Sequence, residues 1–381
     1  MPAPVNTSAL IRTREAMRAA GSDLLLIDHA ELLFWLTGFT VSETMYRACL
    51  VPLHGEPWIV LRALDAAPCT QSGWISDIVT YHDDENPWQC VANSIIARGF
   101  QRAALGADYH SYGMTVYTLQ QLAGRLPEVH WIEMSGVSDS LRQAKFPTEI
   151  DKLRQAAGVA DRAYLAIEQQ VHAGWRVRDV AALCAGIFLR EGADSGETGP
   201  IVRSVGDSGF LHAQTHDETL NRADILHVEL TPKVDYYSAR LMRPFIVGGP
   251  STQQSSVSAQ LIALQDQQIA AMKPGVCAAE IDAIVRDGVL NAGLRGEYGN
   301  VTGYALGIYG RTPRPSDFSH CFTPESHWWL EENSVFHMYT SAQGLAFSET
   351  VWVTPEGGVR LSQLPRKLFS LHECPDDRLP I

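Results

Sequence analysis

Ala173-Gly174-Trp175, then Asp179-Val180, then Leu189-Arg190-Glu191-Gly192: this run returns some hundred residues later as Pro274-Gly275-Val276, Glu280-Ile281 and Leu290-Asn291-Ala292-Gly293. The two glycines of each copy stand 18 residues apart. Ile225-Leu226-His227-Val228-Glu229 is answered in the same way by Val335-Phe336-His337-Met338-Tyr339, and strand-like stretches around Arg240 and Ser348 follow at a comparable offset. The pattern predicts two copies of a helix, helix, strand, strand unit about a pseudo-two-fold axis. A cleft on that axis is a natural ligand site.

Ahead of the first copy, Ile150, Leu153, Ala157, Ala160, Tyr164, Ile167 and Val171 form one apolar stripe at helical spacing. A long helix is expected there, closing at Gly174, where glycine accepts the left-handed conformation. Pro147 disfavours helix in the residue before it and marks a boundary. Upstream, Asp23–Asp28, Ala48–Pro52 and Trp58–Leu61 are short apolar runs bounded by turn residues, with a helical pattern over Ser8–Ala20. These imply an α/β domain with a mixed sheet. The expected division is residues 1–147, 148–370 and a polar tail over 371–381.

The length of 381 residues supports two cores rather than one. A net charge of −13, with no Lys/Arg cluster above that background, disfavours nucleic acid and favours a small-molecule partner. No apolar run reaches membrane-spanning length, and Met1 to Arg14 contains no apolar signal core. Seven cysteines without a C-x-x-C pair fit reduced thiols and a cytoplasmic setting rather than a disulfide framework or cysteine zinc site.

With these repeats, the chain resembles the pita-bread fold shared by methionine aminopeptidase, prolidase, aminopeptidase P and creatinase. Trp35-Leu36-Thr37-Gly38 and Leu141 to Ile150 (LRQAKFPTEI) follow the two-domain creatinase and prolidase layout. Gly303-Tyr304-Ala305-Leu306-Gly307, Phe336-His337-Met338, Ser348-Glu349-Thr350 and Val353-Thr354 are most similar to the ectoine hydrolase and creatinase branch, with weaker support from Arg62 to Ala66. The resemblance implies an α+β protein: a pita-bread C-terminal domain with an internal pseudo-two-fold repeat, preceded by an α/β creatinase-type N-terminal domain.

The metallopeptidases of that fold hold two metals on carboxylates and a histidine. The positions corresponding to those ligands here read Glu229, Arg240, Tyr304, Tyr339 and Ser348. One carboxylate survives, Arg240 is a permanent cation, and two divalent ions need several donors each. The reading therefore assigns no metal and no cofactor.

Creatinase resembles this arrangement, and the resemblance makes His212, within Phe210-Leu211-His212, the leading catalytic residue. An imidazole can take a proton from water and return it to a leaving nitrogen near neutral pH. Glu229 would orient the water or hold a cationic carbon, with Glu349 assisting if it faces the cleft. Strand alternation turns Glu349 away if Ser348 faces in. Arg240 is either a substrate clamp or the neutralising partner of Glu229. Tyr304, Tyr339 and His337 are the remaining candidate binding groups, and His227 occupies in the first copy the place of His337 in the second. Arg47 is the positional equivalent of the creatinase arginine that reaches a neighbouring subunit, which implies a homodimer.

The function expected is metal-independent hydrolysis of an amide, amidine or cyclic amidine C–N bond in a small zwitterionic compound. A divergent Xaa-Pro metallopeptidase and a non-catalytic ligand-binding protein on the same scaffold are the alternatives.

Overall fold

The computed structural model describes residues 3–39, 45–204, 209–309 and 320–373. Two compact units divide at Arg142 and Gln143. The first contains α1 (Ala3–Ala20), β1 (Leu24–Ile27), α2 (Ala30–Thr37), β2 (Ala48–Pro52), β3 (Trp58–Arg62), α3 (Ala66–Ser72), β4 (Asp77–Tyr81), α4 (Pro87–Ala97), β5 (Ala104–Ala107), α5 (Val116–Arg125), β6 (His130–Glu133) and α6 (Val137–Gln143). The strands lie in the order β4-β3-β2-β1-β5-β6. Pairing is antiparallel at β1/β2 and β2/β3 and parallel at β1/β5, β3/β4 and β5/β6, giving the mixed sheet that the short apolar runs imply. Leu24, Leu26, Leu50, Trp58, Val60 and Leu105 are buried in its core.

The second unit runs through α7 (Pro147–Gln170), α8 (Val177–Arg190), β7 (Ile201–Ser204), β8 (Ile225–Leu230), β9 (Lys233–Val234), β10 (Tyr237–Ser238), β11 (Leu241–Val247), α9 (Thr252–Ala271) and α10 (Ala278–Asn291). It continues through β12 (Gly303–Ala305), β13 (Cys321–Phe322), β14 (Val335–Ala342), β15 (Leu345–Thr354), β16 (Gly357–Arg360) and β17 (Phe369–Leu371). The main sheet is ordered β13-β12-β14-β15-β11-β8-β7. The two copies meet where β11 pairs with β15, through the single register pair Met242↔Ser348.

Pro147 is the first helical residue of α7, where its missing N–H costs nothing. The stripe from Ile150 to Ile167 is buried as its spacing requires. The helix ends earlier than Gly174, because Val171 is extended and buried. Gly174 instead takes φ 91° in the following turn and donates its N–H to the Leu220 carbonyl at 2.8 Å. Leu371, expected to open the polar tail, is instead buried in β17, which pairs in parallel with β11. Residues 374–381 lie outside the described residues.

Candidate functional site

Four strands place one residue each in a row across the sheet. Met242 on β11 pairs with Glu229 on β8 and with Ser348 on β15, and Ser348 pairs with Tyr339 on β14. Directly paired residues share a face, as do residues two apart on one strand. His227, His337 and Thr350 therefore join that face, together with Tyr304, which pairs with His337. All of β14 and five of the six residues of β8 are buried, so one face cannot be told from the other by polarity in the sequence.

Arg240 precedes β11 and is held by a side chain acting as a strand partner. Thr350 Oγ1 accepts from the Arg240 N–H at 2.8 Å and donates to its carbonyl at 3.0 Å. From there the guanidinium crosses from the first copy to the second. Its Nη1 donates to the Tyr304 hydroxyl oxygen at 2.5 Å, and its carbon lies 5.4 and 5.0 Å from the ring centres of Tyr304 and Tyr309. Those distances suit cation–π attraction.

His337 lies beside this group, its ring centre 5.0 Å from that of Tyr304 and 5.3 Å from that of Tyr339. It is fully buried, and neither ring nitrogen has a hydrogen-bond partner among the described residues. Burial, reinforced by the Arg240 charge, holds its pKa well below the usual histidine value. His227 is likewise fully buried, neither of its ring nitrogens has a hydrogen-bond partner among the described residues, and burial lowers its pKa to about 3. Tyr339 accepts from Asn300 Nδ2 at 3.4 Å, and burial raises its phenol above the usual range, so it is a neutral hydroxyl at neutral pH.

Glu349 belongs to the other face, which corrects the expectation that it assists in the cleft. Its Oε1 lies 2.6 Å from Arg243 Nη2, 3.4 Å from Arg360 Nη1 and 3.6 Å from Arg366 Nε. A charge in so buried a place is tolerated only when paired. Arg243 is that partner and is fully buried with it.

His212 ends the short 3₁₀ turn Gly209–His212 and is exposed. Its neighbour Phe210 is buried and meets His227 edge-on at 4.8 Å between ring centres, tying the turn to the Glu229 end of the row. Arg47 lies in the first unit and is 7% exposed. Burial lowers its pKa, while Asp28, Tyr46 and Glu31 oppose that shift. Its Nε and Nη2 have no hydrogen-bond partner among the described residues. Thr350, Tyr309 and Asn300 are contributors the sequence did not single out; Thr350 had only its place beside Ser348-Glu349 to suggest it.

The donors present do not fit a dinuclear metal centre. At the five positions stand one carboxylate, a guanidinium, two phenols and a serine hydroxyl. Among the described residues no group of three or more His, Cys, Asp or Glu side chains comes together that could hold an ion. Neither a guanidinium nor a neutral phenol supplies the anionic oxygen a hard divalent ion needs.

Comparison with known proteins places the scaffold. A 23% identical relative over 362 residues, the putative dipeptidase YkvY of Bacillus subtilis, covers 94% of this chain and 99% of its own. Ectoine hydrolase of Halomonas elongata is 24% identical over 384 residues, covering 94% and 96%. The solved Xaa-Pro dipeptidase of Bacillus anthracis superposes with a TM-score of 0.82 at 20% identity, over 96% of this chain and all of that one. Residues 10–144 match the Creatinase/Prolidase N-terminal domain, and residues 151–364 match metallopeptidase family M24. The chain accordingly belongs to metallopeptidase family M24, a family of hydrolases, and carries the creatinase and prolidase type of N-terminal domain.

Proposed function

We propose that this protein hydrolyses a C–N bond in a small zwitterionic compound, of the amide, amidine or cyclic amidine class, without a dinuclear metal centre. The observation that carries the reading is the chemistry of the five positions: Glu229 is the one carboxylate, and Arg240, Tyr304, Tyr339 and Ser348 stand where further ligands would be needed. The similarity to ectoine hydrolase supports the substrate class.

In this reading Glu229 orients the attacking water. His212 takes a proton from that water as its oxygen bonds to the carbon, and returns the proton to the nitrogen as the C–N bond breaks. Arg240, Tyr304, Tyr339 and His337 bind the substrate's polar groups. Arg47 holds its carboxylate from a second subunit, the role that its resemblance to the creatinase arginine implies. The working form is then a cytoplasmic homodimer with reduced thiols.

Ectoine and a Xaa-Pro dipeptide are assayed side by side with chelator and with added manganese, and the purified protein's metal content is measured by elemental mass spectrometry. The expected result is substoichiometric metal and ectoine-class hydrolysis that survives chelation. Glu229→Gln and His212→Ala each lower that turnover about 100-fold or more. Stoichiometric metal with manganese-dependent cleavage of the dipeptide would overturn the reading and establish a divergent Xaa-Pro peptidase. Saturable binding with no turnover of either compound would establish a binding protein.

A further inference from the structure

The face of the sheet opposite the row carries an arrangement that the proposed chemistry does not use. Tyr164, on α7, places its hydroxyl 2.8 Å from the Val228 carbonyl oxygen and 2.7 Å from that of Leu241. Gln265, on α9, donates from Nε2 to the Met338 carbonyl at 3.1 Å and to the Phe347 carbonyl at 3.2 Å. Tyr164 and Gln265 are fully buried. Tyr164 stands ten residues before Gly174 and Gln265 ten before Gly275, so they are the same position in the two copies.

The four carbonyls are the ones that matter for the row. A carbonyl and the N–H of the next residue lie in one rigid plane, so fixing the oxygen fixes how the next residue enters. Val228, Leu241, Met338 and Phe347 immediately precede Glu229, Met242, Tyr339 and Ser348. The planes leaving the two central residues are fixed as well, since Arg243 Nη1 donates to the Met242 carbonyl at 2.9 Å and to the Ser348 carbonyl at 2.7 Å. Arg243 thereby braces the seam between copies, where the backbone supplies one register pair.

We propose that Tyr164 and Gln265 are paired positioning residues, each aiming the two row residues of its own copy by clamping the peptides that enter them from behind the sheet. The inference rests on reading this row as the reacting site, but its test needs no turnover. The clamps differ chemically: the Gln265 amide has a hydrogen for each carbonyl, whereas the single Tyr164 hydrogen is shared between two. Burial raises the Tyr164 phenol well above its usual range and keeps that hydrogen in place.

The full-length protein is labelled with carbon-13 at methionine methyls and tyrosine rings, and the Met242 and Tyr339 signals are assigned with Met242→Leu and Tyr339→Phe. Tyr164→Phe is expected to displace the Met242 signal and leave Tyr339 in place. Gln265→Leu is expected to do the reverse. Val285→Ala, which removes volume from the apolar cluster around α10, is expected to lower the melting temperature while leaving both signals in place. Clamps that move neither signal, that each move both, or that act no differently from Val285→Ala would overturn the proposal. Should Tyr164→Phe not fold, the Gln265→Leu arm decides it against the same control.

Discussion

Ser348 and Glu349 are chain neighbours with opposite fates. Ser348 pairs with both Tyr339 and Met242 in the row, while Glu349 turns to the back of the sheet and meets three arginines. Removing one member of a buried ion pair leaves the other uncompensated, at a cost of about 3–5 kcal/mol. Glu349→Ala is expected to lose that much stability in urea unfolding, because Arg243 is buried beside it. The same variant, assayed at a temperature where it stays folded, is expected to keep most of its turnover, since Glu349 does not face the row. The family resemblance brought Glu349 into consideration, and only the register removed it.

Among the elements, α9 is the clearest case of a helix set by local chemistry. The Ser251 hydroxyl accepts from the Gln254 N–H at 3.2 Å, and the Gln254 side chain accepts from the Ser251 N–H at 2.8 Å. Each satisfies a donor that the first turn would otherwise leave open. Ser251→Ala is expected to cost about 1 kcal/mol, read as a lowered midpoint in thermal or urea unfolding. Helix α7 shows the reverse, since its apolar stripe predicts its buried face and not its end. Its last turn is decided by Val171, which is buried in an extended conformation, and the left-handed glycine three residues later serves the next turn. Strands β8, β11, β14 and β15 are buried almost throughout, so the alternation that would reveal a site face is faint in their sequences.

Over the whole molecule, two buried neutral histidines make stability depend on pH. A histidine whose folded pKa lies below its unfolded value takes up its proton first in the unfolded chain. Its contribution is complete above about 6.5 and is lost as the pH falls toward the folded value, which for His227 is about 3. His337 acts in the same sense. Glu349 acts in the opposite sense, because its raised folded pKa lets the folded state take up a proton first on acidification. His227→Phe isolates one term. Between pH 7 and 5 the variant is expected to lose roughly 2 kcal/mol less stability than the parent, measured by urea unfolding at each pH.

The sequence by itself determined the scaffold. Periodic apolar residues, a proline at a helix start and the 18-residue glycine spacing are local signals, and they determined the long helix, the two-copy second unit and the family resemblance. It also supplied the reading that Glu229, Arg240, Tyr304, Tyr339 and Ser348 stand at the ligand positions, because residue identity at a motif position requires no coordinates. Tertiary structure alone decided which side chains face one another. A one-residue shift of register exchanges the two faces of a strand, and register is set by pairing with strands distant in sequence. The Arg240–Tyr304 contact, the burial of His227 and His337, the removal of Glu349 to the arginine cluster and the clamps from Tyr164 and Gln265 all depend on residues far apart in the chain, and packing alone brings them together.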